Sequence, residues 1–479
     1  MSEQSLSSKA LNGTIWSFIE SFSRQAITFL LGLVLARLLF PSDYGLIGML
    51  QFFLALTQSF VDCGFSNALI CKKDRNDADF STAFYFNFVI GVVAYLILFL
   101  IAPFVANFYN EPQLNLLLRV VGLTVFFNSL CIVQNAILIS SLRMRLLTRV
   151  TLMSQILSGI IGIICAYSGL GVWALAIQSV GGSILTTILL WLTTKWVPHT
   201  GFSRESFKYL WDFGSKMLFV GLISTAYSNM HSMIIGKAFN KTDLGNFTKA
   251  NNLARIIPNT LYTVLNKVSL PTFSQINDDI PRLKAAFRKY LRVASFLVFP
   301  IMGFLFTFAK PLILFLWTDR WIEAVPLFQI ICFGCIWNTL DLLSISILQV
   351  LHKPQILMRY EIVNKIVGFS ILIISIQFGF VAVIIGRSVY NIYEYLIYTT
   401  TNKKYLSYTY LEQIRDILPN LLLMLVCMPI AYFSASFVTS SIQKLVVGAI
   451  VGFGLYVLVG YMLKYKSFND ILLILKKLE

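Results

Sequence analysis

One apolar segment of the chain carries a line of polar side chains at steps of three and four residues. Its members are Asn252, Arg255, Asn259, Tyr262 and Asn266. This spacing places them along one face of an α-helix. A polar face inside an apolar segment must meet a partner helix or water, and the guanidinium on it offers a planar fork that matches phosphate oxygens. The pattern therefore indicates a site that binds an anionic group.

Ionisable and amide side chains also interrupt other apolar segments. Glu20 and Arg24 lie one helical turn apart and can pair, Gln58 and Asp62 share a face, and Lys216 stands in a third segment. Because a charged side chain at the bilayer centre costs roughly 2.5 to 3.5 kcal/mol, such residues are candidates for a functional site. The alternative is that they only join helices through hydrogen bonds, and it stays open for the Asn and Gln side chains.

The elements that must position these residues are membrane-spanning helices. The 479 residues are 57% hydrophobic and 13% charged, whereas about 25% charge is usual in soluble domains. A bilayer core about 30 Å thick needs about 20 apolar residues per helix, and the sequence contains fourteen such runs. We number these predicted spans 1 to 14 in chain order, at 13–39, 44–70, 80–108, 114–141, 148–168, 171–195, 207–237, 243–273, 286–315, 323–351, 356–378, 380–402, 414–435 and 440–463.

An internal repeat organises these spans. The stretch LARLLFPSDYG at 35–45 is matched by IGKAFNKTDLG at 235–245, and FNSL at 127–130 by WNTL at 337–340. Six spans precede a basic linker and six follow it, so both blocks enter the membrane from the same side. Parallel repeats of this kind are a transporter architecture with the substrate site near the midplane, where the repeats meet.

The predicted fold is an all-α integral membrane protein with two parallel-repeat six-helix lobes around a central cavity and two further helices. The predicted divisions are an N-terminal lobe at 1–197, a cytoplasmic linker at 198–206, a C-terminal lobe at 207–404, and helices 13 and 14 with a basic tail at 405–479.

The net charge of +16 orients the chain rather than indicating nucleic acid as a partner. With the N-terminus in the cytoplasm, 24 of the 38 Lys and Arg residues fall on that side and seven on the other. This asymmetry follows the positive-inside rule, and it predicts that both termini are cytoplasmic. The first residues lack the features of a cleaved signal peptide, so we expect span 1 to remain.

No nucleotide or zinc motif occurs in the sequence, and we predict neither a cofactor nor a metal site. Transport would then draw on an ion gradient, the membrane potential or the gradient of the substrate. The acidic residues that we select as candidates for coupling to protons or sodium are Glu20, Asp62 and Asp341.

Several longer strings carry a resemblance to a known family. LNGTIWSFIESFSRQAITFLLGLVLARLLFPSDYGLIGML, FVDCGFSNALICKKD, GVWALAIQS and AKPLILFLWTDRWIEAVPLFQIICF closely resemble bacterial polysaccharide exporters of the O-antigen and colanic-acid flippase type. The resemblance implies membership of the multidrug, oligosaccharidyl-lipid and polysaccharide exporter superfamily. It also implies a V-shaped pair of lobes in the bacterial inner membrane.

The activity that the resemblance implies is flipping of an undecaprenyl-diphosphate-linked oligosaccharide to the periplasmic leaflet. Related flippases carry basic residues in helices 1 and 8, where this chain has Arg24 and Arg255. The chain lacks the dense arginine clusters of peptidoglycan-precursor flippases, which argues against that substrate. The implied partners are membrane lipid, the lipid-linked oligosaccharide, and a polysaccharide polymerase with its chain-length machinery.

Two other functions are weighed against the flippase. A multidrug antiporter would have the same fold, whereas a membrane-embedded polymerase or ligase would need larger outward loops than this sequence has. The residues that we assign to a substrate cavity are Arg24, Arg255, Glu20, Asn252, Asn259, Tyr262, Asn266, Lys216 and Gln58.

Overall fold

The computed structural model describes residues 22–62, 64–72, 74–468 and 470, and the regular structure within them is entirely helical. The helices are α1 (22–38), α2 (Pro41–Asp62), α3 (Phe65–Cys71), α4 (Asp77–Tyr109), α5 (Gln113–Val121), α6 (Leu123–Ser129), α7 (Ile132–Ser140), α8 (Met144–Tyr167), α9 (Val172–Thr194), α10 (Arg204–Ala238), α11 (Lys241–Ser274), α12 (Ile280–Thr307), α13 (Ala309–Trp317), a 3-10 turn (Asp319–Trp321), α14 (Ala324–Val350), α15 (Pro354–Ile376), α16 (Phe380–Leu406), α17 (Tyr410–Ser436) and α18 (Ser441–Met462).

Eleven helices or helix runs in the described residues are long and apolar enough to cross a membrane. The prediction of an all-helical, multi-pass membrane protein is confirmed, but the count of fourteen spans is not. Spans 1, 8 and 11 are the predicted spans that are not among these eleven. Span 1 extends into residues outside the described part. Span 8 corresponds to α11 and carries the polar face, and span 11 corresponds to α15, which holds Arg359, Glu361 and Lys365.

Three of the predicted spans are broken rather than continuous helices. Span 2 divides into α2 and α3, span 4 into α5, α6 and α7, and span 9 into α12 and α13. At the first break Gly64 takes a left-handed conformation with φ 69°, which glycine adopts without a steric penalty. A Cβ on Gly64 would also lie 2.8 Å from the Met217 Cβ, so the break brings α10 close to the backbone.

The helices cluster into two compact units, with the boundary between Gly245 and Asn246. In the first unit, α8 packs on α9, and α10 packs on α2, α3 and α4. In the second unit, α14 packs on α16, while α12 packs on α14 and α17. The packing of α10 explains why this boundary falls after α10, whereas the lobes of the repeat divide before it. The lobe boundaries drawn from the repeat stay a prediction.

The two repeated corners interlock within the first unit. A Cβ on Gly45 would lie 1.7 Å from the carbonyl oxygen of Lys241, and a Cβ on Gly245 would lie 1.8 Å from that of Pro41. The offset of 200 that relates the two sequences also relates the two contacts. Each helix start therefore needs glycine because the backbone of the other passes directly against it.

Candidate substrate and coupling sites

An open polar cavity of about 450 Å³ lies in the first unit between α1, α6, α8 and α9. We call it the α8–α9 groove. Its lining residues on these two helices are Thr151, Ser154, Gln155 and Ser158 of α8, and Leu175, Gln178, Ser179, Gly182, Ser183 and Thr186 of α9. These positions recur at steps of three and four, so one face of each helix enters the groove.

Arg24 lies at the groove and is the charged residue among the described residues of its lining. The side chain is exposed, and its guanidinium has no hydrogen-bond partner within the described part of the chain. The Arg24 carbonyl oxygen accepts a hydrogen bond of 2.8 Å from the Thr28 hydroxyl and one of 3.4 Å from the Gln155 amide. The backbone is thereby tied to α8, and the exposed guanidinium is a group that can contact an anion.

Asn128 of α6 also lines the groove and links it to two predicted site residues. Its Nδ2 donates to Gln58 Oε1 at 3.1 Å, and Gln58 Nε2 donates to Asp62 Oδ1 at 3.0 Å. The structure therefore brings Arg24, Gln58 and Asp62 to one region of the first unit. The Asp62 carboxylate is exposed and accepts from Gln58 one turn away.

The residues on the polar face of α11, in the second unit, differ in exposure and in hydrogen bonding. Asn252, Asn259 and Tyr262 are exposed, and Asn266 accepts a hydrogen bond of 3.4 Å from Ser346 on α14. Arg255 is half-buried, and its Nε has no hydrogen-bond partner among the described residues. The face thus includes both an interhelical contact and groups that stay open to a ligand.

Three carboxylates from α14, α15 and α16 act electrostatically on one another in the second unit. They are Asp341, Glu361 and Glu394, which we call the acidic cluster. Asp341 is only 2% exposed, and its Oδ2 lacks a hydrogen-bond partner within the described ranges. A buried carboxylate of this kind is costly unless it is paired or protonated, which makes it a candidate for exchanging a cation.

Hydroxyl and basic groups surround the other two carboxylates. The Tyr390 hydroxyl donates to Glu394 Oε1 at 3.3 Å, and the Tyr398 hydroxyl donates to Glu361 Oε1 at 3.2 Å. Lys365 pairs with Glu361 at 3.2 Å. Both Arg255 and Asp341, two predicted site residues, lie within electrostatic range of Glu394.

Two predicted site residues stand apart from these regions. Lys216 pairs with Asp212 at 3.1 Å on α10, and both side chains are at least three-quarters exposed. Such pairs contribute about 0 to 1 kcal/mol, and Lys216 is not among the residues that line the groove. Glu20 lies outside the described residues.

The sequence analysis missed the lining of the α8–α9 groove. The signal was present, because Thr151, Ser154, Gln155 and Ser158 follow the same three- and four-residue steps as the polar face of α11. Hydroxyl groups are a weak signal in membrane helices, since they also bond to carbonyl oxygens of their own helix. The acidic cluster had no local signal, because its members lie on three different helices.

Comparison with solved structures identifies the fold. The chain superposes on a lipid II flippase, MurJ, in an inward closed conformation, with a TM-score of 0.74, 14% identity, and 95% of this chain and 99% of that chain covered. It superposes on an inward-facing multidrug resistance MATE family transporter of the MOP superfamily with a TM-score of 0.61, 14% identity, and coverage of 80% and 94%. The chain therefore shares the multi-pass helical fold of these two proteins.

Comparison with protein families gives a more specific relationship than the fold does. Residues 34–326 match the model of the polysaccharide biosynthesis protein family, and the chain belongs to that family. It is 24% identical over 470 residues to an uncharacterized membrane protein in the cps region of Klebsiella pneumoniae, which covers 95% of both chains. It is 23% identical to the lipopolysaccharide biosynthesis protein WzxC of Escherichia coli strain K12, over 68% of this chain and 67% of that one. The predicted relationship to polysaccharide exporters is confirmed.

Proposed function

We propose that the protein flips an undecaprenyl-diphosphate-linked oligosaccharide from the cytoplasmic to the periplasmic leaflet of the bacterial inner membrane by alternating access. The observation that carries the proposal is the α8–α9 groove, which combines one available guanidinium with a wall of hydroxyl and amide groups. That combination suits a phosphate joined to a sugar. Family membership adds support, because the family and the relative WzxC are named for polysaccharide biosynthesis.

The proposal keeps the predicted topology and cavity. In this proposal both termini lie in the cytoplasm, the lobes are 1–197 and 207–404, and Arg24 and Arg255 are the residues that bind the diphosphate. The polyprenyl tail stays in lipid. A polysaccharide polymerase and its chain-length machinery would use the glycan after it has crossed the membrane.

Coupling to a proton or sodium gradient is assigned to carboxylates. Asp341 is the first choice because it is buried beside Glu394 and Glu361. Asp62 is the second choice, since its position next to Gln58 connects it to the groove through Asn128. A bound cation would lower the electrostatic cost of a carboxylate that lies within the membrane.

The test is export of surface polysaccharide by cells in which the gene is replaced by variants. We expect Arg24→Ala and Arg255→Ala each to lower export about tenfold, which corresponds to about 1.4 kcal/mol. Arg359→Ala is the matched control, because this arginine is exposed on α15 and is not one of the proposed site residues. Protein level is followed by immunoblot. Export at the wild-type level from both site variants would refute the proposed role of the arginines.

A multidrug antiporter is the second candidate, and two observations favour it: the similarity to a MATE transporter fold and the acidic cluster. Membrane vesicles loaded with a fluorescent cationic drug distinguish the two functions. Gradient-driven drug efflux, without movement of an undecaprenyl-diphosphate glycan in proteoliposomes, would replace the flippase proposal with this one.

A further inference from the structure

We infer that the α8–α9 groove is a carbohydrate subsite that holds the uncharged sugar next to the diphosphate of the lipid carrier. This inference rests on the proposed function and names the part of the substrate that this groove recognises. The cavity of about 450 Å³ lies within the range of about 300 to 1,000 Å³ that is typical of small-molecule sites. Its lining differs from an ordinary ligand pocket because hydroxyl and amide groups, rather than apolar side chains, predominate.

The groove contains hydrogen-bonding capacity that the protein leaves unused. Gln155 donates its amide hydrogens toward Thr28 Oγ1 and the Arg24 carbonyl oxygen, and this orients its Oε1. That Oε1 is buried without a partner among the described residues. A small rotation of the Gln155 side chain would expose this acceptor to the groove, where a ligand hydroxyl would supply the missing donor.

The α9 side of the groove offers further unpaired groups. The side chains of Gln178, Ser179 and Ser183 form no hydrogen bond to any residue that the structure describes, although all three line the cavity. Gln178 brings both donors and an acceptor, and each serine brings one donor and an acceptor. A sugar ring, which carries several hydroxyls that each donate and accept, matches this mixture.

Hydroxyl groups on α8 complete the set as acceptors. The Thr151 hydroxyl donates to the Leu147 carbonyl oxygen at 3.0 Å, and Ser158 donates to the Gln155 carbonyl oxygen at 3.2 Å. Their hydrogens are committed to their own helix, so their remaining lone pairs face a ligand as acceptors. A sugar hydroxyl could therefore both donate a hydrogen bond to a group in the groove and accept one from another group there.

Close helix packing holds the groove in shape. A Cβ on Gly162 would lie 2.8 Å from the Gln178 Cβ, and one on Gly159 would lie 2.3 Å from Leu31 Cδ1. These contacts fix α9 and α1 against α8. The backbones that carry Gln178 and Arg24 are thus pre-positioned, which lowers the entropy lost when a ligand binds.

The charge of the lining selects the kind of ligand. No Asp or Glu is among the described residues that line the groove, and the lining that they form is positive through Arg24. No aromatic ring lines it either within the same part of the chain, so a cation–π site is not formed. Arg24 is the charged residue of the lining and is assigned to the phosphate, which leaves neutral groups for a neutral sugar.

The test measures affinity of the purified full-length protein in lipid nanodiscs. The probes are undecaprenyl diphosphate and the same lipid carrying N-acetylglucosamine, N-acetylgalactosamine, glucose or galactose. We expect at least one glycolipid to bind about fivefold more tightly than the sugar-free lipid, as one net hydrogen bond provides. Gln155→Leu and Gln178→Leu, which keep side-chain size, should each reduce this ratio to below about twofold.

Thr193→Val is the matched control. Its hydroxyl bonds to the Leu189 carbonyl oxygen on the same helix, and Thr193 is not a lining residue. Both the ratio and the binding of the sugar-free lipid should stay at the wild-type values in this variant. Thermal unfolding of each variant reports whether it is folded.

The outcomes separate the inference from the proposed function. Equal binding of the sugar-free lipid and all four glycolipids by the wild-type protein would overturn the carbohydrate subsite and leave the flippase proposal standing. An equal loss of sugar-free and sugar-linked binding in Gln155→Leu and Gln178→Leu would also overturn it, because the two residues would then act on the lipid or on folding. Failure of the wild-type protein to bind any of the five lipids would overturn the proposed function itself.

Discussion

The α8–α9 groove of the first unit and the acidic cluster of the second unit involve helices that the internal repeat relates. At the offset of 210 that relates Arg149 to Arg359, Thr151 and Gln155 correspond to Glu361 and Lys365. At the offset of 209, Gln178 corresponds to Arg387. The same helical positions thus carry neutral groups in one copy and charged groups in the other. At these matched positions the first copy therefore presents neutral hydrogen-bonding groups, and the second copy presents charged ones.

The corners of the repeat show the opposite relationship. Gly45 and Gly245 occupy matching positions, and each meets the backbone of the other helix start at a distance that excludes a side chain. Where two backbones touch, geometry leaves one residue type, and the two copies agree. Where a helix face is partly exposed, as at Thr151 and its counterpart Glu361, packing does not restrict the residue type, and the two copies carry different side chains.

The largest effect should come from breaking the corner that the two copies share. We expect Gly45→Ala to destabilise the protein by about 3 kcal/mol or more, because its Cβ would lie 1.7 Å from a backbone carbonyl oxygen that cannot rotate away. The measurement is the thermal unfolding midpoint of the purified protein in detergent.

Gly221→Ala is the control for this prediction. It is also a glycine inside a helix, but a Cβ there would meet nothing within 4 Å. We expect it to be neutral or to stabilise α10 by up to about 1 kcal/mol. Equal midpoints for the two alanine variants would show that the corner adapts, and the contrast between corner and groove would lose its basis.

The next effect should come from the charged side of the comparison. We expect Asp341→Asn to fold, since it keeps the shape of the side chain, and to lower gradient-driven transport about tenfold, which corresponds to about 1.4 kcal/mol. The reason is that an amide in place of the buried carboxylate cannot exchange a cation. Transport is followed in proteoliposomes with and without an imposed proton or sodium gradient.

Asp212→Asn provides the matched change at an exposed carboxylate, which pairs with Lys216 on the surface of α10. It should transport as the wild type does. If Asp341→Asn keeps its full response to the gradient, the acidic cluster is a structural network, and the proposed division of work between the two copies is wrong.

Much of this arrangement could be predicted from the sequence, for identifiable reasons. Membrane spans follow from long apolar runs, and the repeat was visible because its matches include Asp43 and Gly45 with their counterparts 200 residues later. The breaks at Gly64 and within span 4 were not predicted, because hydropathy averages over a turn. The separation of Lys216 from the groove depends on which way α10 packs, and the meeting of Asp341 with Glu394 depends on three-helix packing. Neither has a local signal.

The smallest effect should come from moving the charges of the second copy into the first. Glu361 and Lys365 lie one helical turn apart, with 3.2 Å between Glu361 Oε2 and Lys365 Nζ. The variant that places the same pair in the first copy is Thr151→Glu together with Gln155→Lys. Such an i,i+4 pair with the acid first stabilises a helix by about 0.2 to 0.5 kcal/mol, and both positions line the open groove. We therefore expect the double variant to unfold within about 1 kcal/mol of the wild type.

Thr151→Glu alone sharpens this last comparison, because it leaves a carboxylate near the membrane interior without its lysine. We expect it to be less stable than the double variant by about 1 kcal/mol, measured by thermal unfolding under the same conditions. If the double variant is no more stable than the single one, the new pair does not form. The corresponding positions of α8 and α15 would then differ in more than the charge of their side chains, and the repeat would not extend to the local geometry of these helices.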